Sequence, residues 1–132
     1  QQLGRETLPQ DRGRLQQPLD KTVFTDWLAE ARAVIATPAL AMFFDRARIQ
    51  RAWNEVPISY AEVHGVIDRL VDDGQTLWVL DYKTHRQPDA DALLAQYRGQ
   101  LQAYRDGVQR LWPGRAVRAG LLLTQTCQWV EL

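Results

Sequence analysis

Three residues in one stretch of this chain could do chemistry together. Asp68 lies in Gly65-Val66-Ile67-Asp68-Arg69-Leu70, and Asp81 and Lys83 lie in Val79-Leu80-Asp81-Tyr82-Lys83-Thr84. Asp72-Asp73-Gly74-Gln75 between them carries Asp-Gly, a strong hairpin signal because both residue types tolerate positive φ. If Asp73-Gly74 forms a two-residue turn, Asp68 sits opposite Val79 with Asp81 as its diagonal neighbour. A loop two residues longer puts Asp68 directly opposite Asp81. In either register the carboxylates share a face at roughly 5–8 Å, and Lys83 follows Asp81 on that face. Two carboxylates at such a distance repel unless a cation lies between them. Hard oxygen ligands suit Mg²⁺ or Mn²⁺ with several retained waters. Such an ion acidifies water and polarises a phosphoryl oxygen, and an ammonium beside it can orient water or offset charge on phosphorus. The arrangement suits metal-dependent phosphodiester hydrolysis. The competing reading is an exposed Asp81–Lys83 charge pair of little energetic value. Against it, Val66, Leu77 and Val79 point to the same side, which is expected to be partly buried, where unpaired carboxylates are costly.

The elements around this hairpin follow from periodicity. Residues 1–23 are polar, with scattered Gly and Pro, and read as an irregular lead-in to a domain over 24–132. Thr25 or Asp26 can cap a helix carrying Trp27, Leu28, Ala31, Val34 and Ile35 at helical spacing. Thr37-Pro38 suits the start of a second short helix with Leu40, Phe43 and Phe44 inward. Trp53 to Tyr60, broken by Pro57, reads as an edge strand. Glu62 to Val71 and Thr76 to Thr84 complete an antiparallel meander. Pro88-Asp89 opens a long helix with a stripe of Leu93, Leu94, Tyr97, Leu101, Tyr104, Val108 and Leu111, and Pro113-Gly114 stops it. Val117 to Thr124 is apolar enough for a strand buried on both faces, and the helix before it can return the chain for parallel pairing. Cys127 to Leu132 reads as a last short strand. The sum is an α/β domain with a mixed central sheet, an antiparallel meander plus a helix-connected strand, flanked by helices.

Composition narrows the class. The 132 residues are 45% hydrophobic and 24% charged, enough for one domain with a core, and the formal net charge of zero argues against a generic basic nucleic-acid binder. A local basic patch remains: Lys83, His85 and Arg86 leave the hairpin together, and Arg98 and Arg105 lie seven apart on the long helix. The single cysteine, Cys127, excludes an internal disulfide and a Cys-based zinc site, and reads as apolar filler. No apolar run reaches the roughly 20 residues of a membrane span. No Gly-rich phosphate loop is present. The chain opens at Gln1 rather than Met, as expected of a fragment of a longer protein.

Gly65-Val66-Ile67-Asp68-Arg69-Leu70, then Asp81-Tyr82-Lys83-Thr84, then Tyr97-Arg98-Gly99-Gln100-Leu101-Gln102-Ala103-Tyr104 closely resembles the C-terminal nuclease domain of RecB/AddA-type helicase–nucleases, in the PD-(D/E)xK superfamily. Glu55-Val56-Pro57-Ile58 resembles the Glu-containing strand that often precedes these motifs. The resemblance covers residues 24–125 or thereabouts. It implies a restriction-endonuclease-like fold. It also implies a Mg²⁺- or Mn²⁺-dependent deoxyribonuclease, an exonuclease domain acting in DNA end processing and recombinational repair, located in the cytoplasm. The implied partners are DNA, the helicase portion of the parent protein and a further protein chain of the complex. Asp68 and Asp81 match its metal ligands, the main-chain carbonyl of Tyr82 completes part of the shell, and Lys83 matches its catalytic lysine. Tyr97, Gln100 and Tyr104 match the helix motif associated with DNA. They share one helical face, although plain core packing also accounts for the two tyrosines.

One departure stands out. The family normally supplies a further metal ligand, often His, from a helix upstream of the meander. Neither His64, on the Asp68 strand, nor His85, just after Lys83, fits that place, and the simplest expectation is that the ligand lies before Gln1. The alternative to a nuclease is therefore a non-catalytic module that keeps the fold to bind DNA or partner subunits.

Overall fold

A computed structural model describes residues 21–84 and 89–132, the side chains of 21–26 excepted. The expectations on His85, Arg86, Pro88 and most of the lead-in fall outside these residues. Helix α1 spans Lys21–Ala36, a 3₁₀ turn spans Pro38–Leu40, and helix α2 spans Ala41–Phe44. Strands β1 (Arg51–Tyr60), β2 (Val63–Asp72) and β3 (Thr76–Lys83) follow, then α3 (Ala90–Leu111), β4 (Ala116–Leu123) and β5 (Gln128–Glu131). The five strands stand in the order β1-β2-β3-β4-β5. All neighbours are antiparallel except β3 and β4, which α3 connects in parallel.

Most local signals hold. Asp89 caps α3, its Oδ1 accepting the Ala92 N–H at 3.2 Å, and Gly114 after the helix takes φ +85°. Pro57 sits on the edge strand, opposite Val66. Three details differ. Thr25 and Asp26 lie inside α1, which starts four residues before Thr25, so neither is its cap. Thr37 does not cap the next turn; its hydroxyl reaches back to Ala33 O at 2.6 Å and closes α1 instead. Ile35 and Leu111, expected on apolar stripes, are exposed.

The sheet carries a core on each face. Leu93, Leu101, Tyr104 and Val108 of α3 pack on Leu70, Leu77, Val79, Leu121 and Leu123. Ala31, Val34, Leu40 and Phe43 pack on Val71, Trp78, Leu80, Tyr82 and Leu122 across the sheet. Leu121, Leu122 and Leu123 are fully buried, as their continuous apolar run implies for a strand covered on both sides. Each buried leucine of this kind contributes about 1.5–3 kcal/mol.

One irregularity shapes the rest. Strict alternation would put Ile67 on the face of Val71, yet Ile67 joins Leu70 in the α3-side core. Its partner strand does the same, with Trp53 and Val56 both on the α3 side. The change of face falls where the β1–β2 register skips Glu55 and Asp68, passing from Asn54↔Arg69 to Val56↔Ile67. Glu55 there adopts φ +54°, an unusual value for a side chain with Cβ. The β2–β3 ladder also ends at Arg69↔Leu80. Asp68 thus stands at the point where β2 turns away from β3.

Candidate metal and phosphate site

The turn decides the register. Asp72 pairs with Leu77, leaving a loop two residues longer than Asp73-Gly74 alone. Gly74 takes φ +96°, and Asp73 Oδ1 accepts the N–H groups of Gln75 and Thr76 at 2.8 and 2.7 Å. Asp72 anchors the other side, accepting Gly74 N–H at 2.8 Å and Arg115 Nη2 at 2.7 Å. Of the two registers open from the sequence, this is the longer. Continued from Arg69↔Leu80, it sets Asp68 opposite Asp81.

Asp68 bridges the gap its strand opens. Its Oδ2 accepts the Tyr82 N–H at 2.8 Å, replacing the ladder bond that the departing strand would have made. The N–H and C=O of one strand residue point to the same edge, so the Tyr82 carbonyl faces this gap as well. Burial pushes the Asp68 carboxyl up to about 8; a hydrogen bond and the negative charge of Asp81 push the same way, while the Tyr82 N–H and Lys83 oppose them. With the Asp81 carboxyl close by, the neutral form of Asp68 is favoured. Asp81 is buried at 5% exposure, and its Oδ2 makes no hydrogen bond. Lys83 Nζ stands 3.5 Å from that oxygen and 3.9 Å from the centroid of the Tyr97 ring. The Lys83 main chain is pinned by the residue that follows β4: Thr124 N–H donates to Lys83 O at 2.9 Å, and Thr124 Oγ1 to Glu30 Oε2 on α1 at 2.6 Å.

Two carboxyls forced together and a buried carboxylate oxygen with no donor are what a divalent cation relieves. Asp68, Asp81 and the Tyr82 carbonyl fit such an ion as part of a hydrated shell. Among the described residues no group of three His, Cys, Asp or Glu comes together. His64 is exposed and paired through Nδ1 with the Ser59 hydroxyl on the facing strand. Val66, expected on the carboxylate side, is 48% exposed, because the change of face in β2 turns it outward.

Tyr97 and Gln100 are half-buried, and Tyr104 is buried. Gln100 Nε2 donates to Tyr104 Oη at 2.9 Å, and the Val66 backbone also meets that hydroxyl. Burial raises the Tyr104 hydroxyl above its ordinary value, Gln100 opposes this, and the charges of Asp81 and Asp68 add to it. The ring lies against Gly65, where an added Cβ would overlap Oη and stand 2.9 Å from Cζ. Gly65 is thus needed for the close approach of α3 to the Asp68 strand. Gly65→Ala is expected to lower stability by about 1–3 kcal/mol. In a thermal-melt double-mutant cycle that penalty shrinks on a Tyr104→Ala background; an unchanged penalty would refute the contact as its cause.

Sequence reasoning missed the Thr124–Glu30 clamp, whose partners are 94 residues apart with no local signal. It also missed the burial of Arg69, 3% exposed, whose Nε donates to Phe43 O at 3.0 Å.

A mixed five-stranded sheet with helices on both faces, and Asp, then Asp-x-Lys, where two strands part, define a nuclease class. The chain belongs to the PD-(D/E)xK nuclease superfamily, whose pattern it matches over residues 2–128. Nucleases of this superfamily generally use divalent metal ions. Among individual proteins it is similar to an ATP-dependent helicase/nuclease of the AddA type from Lacticaseibacillus casei (strain BL23), 30% identical over 105 residues, covering 80% of this chain and 8% of that protein. The protein of the same name from Anoxybacillus flavithermus is 32% identical over 117 residues, covering 74% of this chain and 10% of the relative. The chain therefore spans about a tenth of the length of these relatives.

Proposed function

We propose that this domain hydrolyses phosphodiester bonds in DNA, as the exonuclease part of a helicase–nuclease engaged in DNA end processing and recombinational repair in the cytoplasm. The observation that carries this reading is the buried Asp68–Asp81 contact at the parting of β2 and β3, with Lys83 Nζ 3.5 Å from Asp81 Oδ2. Asp68, Asp81 and the Tyr82 carbonyl hold Mg²⁺ or Mn²⁺, which when bound supplies Lewis acidity to a phosphoryl oxygen and to water. Lys83 places a positive charge where negative charge grows on the phosphate. Tyr97 fixes the direction of that ammonium through its ring face. Gln100 and Tyr104 hold α3 against the Asp68 strand and, with Tyr97, border the DNA path. The helicase portion of the parent protein, with a further protein chain of the complex, would feed the strand.

The test is cleavage of linear DNA with Mg²⁺ or Mn²⁺, compared with excess EDTA and with Asp81→Asn. Metal-dependent cleavage by the native sequence, lost in the variant, is expected; equal cleavage in all three would overturn the reading. A second reading, a nuclease fold that binds DNA or subunits without cutting, draws on the absence of a third clustered ligand among the described residues. DNA binding without metal-dependent cleavage would select it.

A further inference from the structure

We propose that Thr124 and Glu30 are positioning residues for Lys83: together they fix its backbone so that its ammonium stands over the Tyr97 ring beside Asp81. What that placement does for cleavage rests on the nuclease reading, but the placement itself does not. The end of β3 is held mainly from one side. Its ladder with β2 ends at Arg69↔Leu80, and past that point β2 offers the Asp68 carboxylate to the Tyr82 N–H in place of a ladder. The ladder with β4 runs on through Lys83↔Leu123. Asp81, Tyr82 and Lys83 therefore take their position from β4. Thr124, the residue after β4, continues that hold, its N–H donating to Lys83 O at 2.9 Å.

A residue has two soft backbone dihedrals. Held by the ladder before its Cα and by its carbonyl after it, Lys83 has both fixed, and with them the direction of its Cα–Cβ bond. That direction leads Nζ to 3.9 Å from the Tyr97 ring centroid and 3.5 Å from Asp81 Oδ2. Thr124 is held in turn. It is buried, and its Oγ1 lies 2.6 Å from Glu30 Oε2 and 3.3 Å from Lys83 O. A hydroxyl has one proton to give, and the carboxylate, nearer and charged, takes it. Glu30 thereby fixes the Thr124 side chain beside the Lys83 carbonyl. Glu30 stands on α1, whose Ala31 and Val34 pack on the sheet face away from α3. Lys83 reaches over the α3 face to Tyr97. Helix α1 thus braces the lysine from behind the sheet. A displacement of about 1 Å can cost about a hundredfold in rate, so a brace of this kind matters to the chemistry. A threonine buried for stability alone could become valine without moving the lysine.

The lysines of the chain are Lys21 and Lys83, so a carbon-13 label at lysine Cε reports on Lys83 with little overlap. A ring face under the ammonium shifts the neighbouring Cε protons upfield, and Tyr97→Leu gives the unshifted position. Thr124→Val keeps the N–H and the shape but drops the link to Glu30; Glu30→Ala drops the same link from α1. In EDTA both are expected to move the Lys83 signal most of the way to the unshifted position, while Thr124→Ser leaves it at the native one. With Mg²⁺ and saturating linear DNA, both should lose about tenfold in single-turnover rate, with the half-saturating DNA concentration unchanged and the rate kept by Thr124→Ser. A native Lys83 signal in Thr124→Val and Glu30→Ala would overturn the clamp. A native cleavage rate in both would overturn its bearing on the chemistry. Should Thr124→Val fail to fold, Glu30→Ala decides alone. If the native protein cuts no DNA, the nuclease reading falls and the Lys83 signal still decides the clamp. If it cuts and the signal stays in place in the variants, the clamp falls and the nuclease reading stands.

Discussion

Lys83→Ala is expected to lower metal-dependent DNA cleavage by about a thousandfold while leaving the stabilisation of the fold by Mg²⁺ in place. Asp81→Ala is expected to lose both. The contrast follows from where the two side chains end. Asp81 Oδ2 is buried and without a hydrogen bond, which suits the ligand role proposed for it. Lys83 Nζ is 3.5 Å away and leans on the Tyr97 ring, which suits the proposed role of delivering charge without being a ligand. Removing one preorganised positive group from a water-poor site costs about 10²–10³ in rate. Lys83→Arg should not restore the activity, because a planar fork cannot replace a compact ammonium between a ring face and a carboxylate. The measurements are single-turnover cleavage of linear DNA and the rise in melting temperature on adding Mg²⁺. Native-like cleavage by Lys83→Ala would remove the lysine from the chemistry. Retained metal stabilisation in Asp81→Ala would remove the aspartate from the metal site.

Much of this site was legible because strands and turns write short-range rules. Alternation placed Asp81 and Lys83 together, and the Asp-Gly pair marked the hairpin even though the turn proved two residues longer. The α3 stripe and the apolar β4 run indicated a parallel pairing, and the structure makes β3 the partner strand. What the sequence hid is long-range or irregular. The change of face at Glu55 and Asp68 breaks the alternation that exposes a strand to pattern reading, and it turns Val66 outward. Arg69 looks like a surface residue by type, yet is buried because Phe43 O and Asn54 accept its donors. Gly65 carried no local sign that a tyrosine hydroxyl 39 positions later would need its missing side chain. The same irregularity that defeats the pattern makes the site: a regular ladder would have given the Tyr82 N–H a backbone partner and kept Asp68 from it.

The pH dependence of stability should carry the mark of the Asp68–Asp81 contact. A carboxyl raised from its ordinary 3.8 to about 8 favours the protonated folded state. Its contribution to stability is therefore fully present below about pH 4, declines between pH 4 and 8, and is absent above pH 8. At one pH unit per about 1.4 kcal/mol, the metal-free protein should lose several kcal/mol across that window. Asp72 acts the other way. The Arg115 hydrogen bond holds it below its ordinary value, so its contribution is present above about pH 4 and lost as acid protonates it. Metal-free stability should then peak near pH 4–5. A divalent ion takes the place of the proton on Asp68, so Mg²⁺ affinity should rise about tenfold per pH unit until about pH 8. Asp68→Asn keeps the shape, still accepts from Tyr82 N–H and can donate to Asp81, but cannot ionise. In EDTA it should melt higher than the native protein at pH 9, with little difference at pH 4, and Mg²⁺ should stabilise it far less. Parallel curves of melting temperature against pH for the two proteins would show that this carboxyl is ionised in the fold throughout, and that the two aspartates are held apart rather than pressed together.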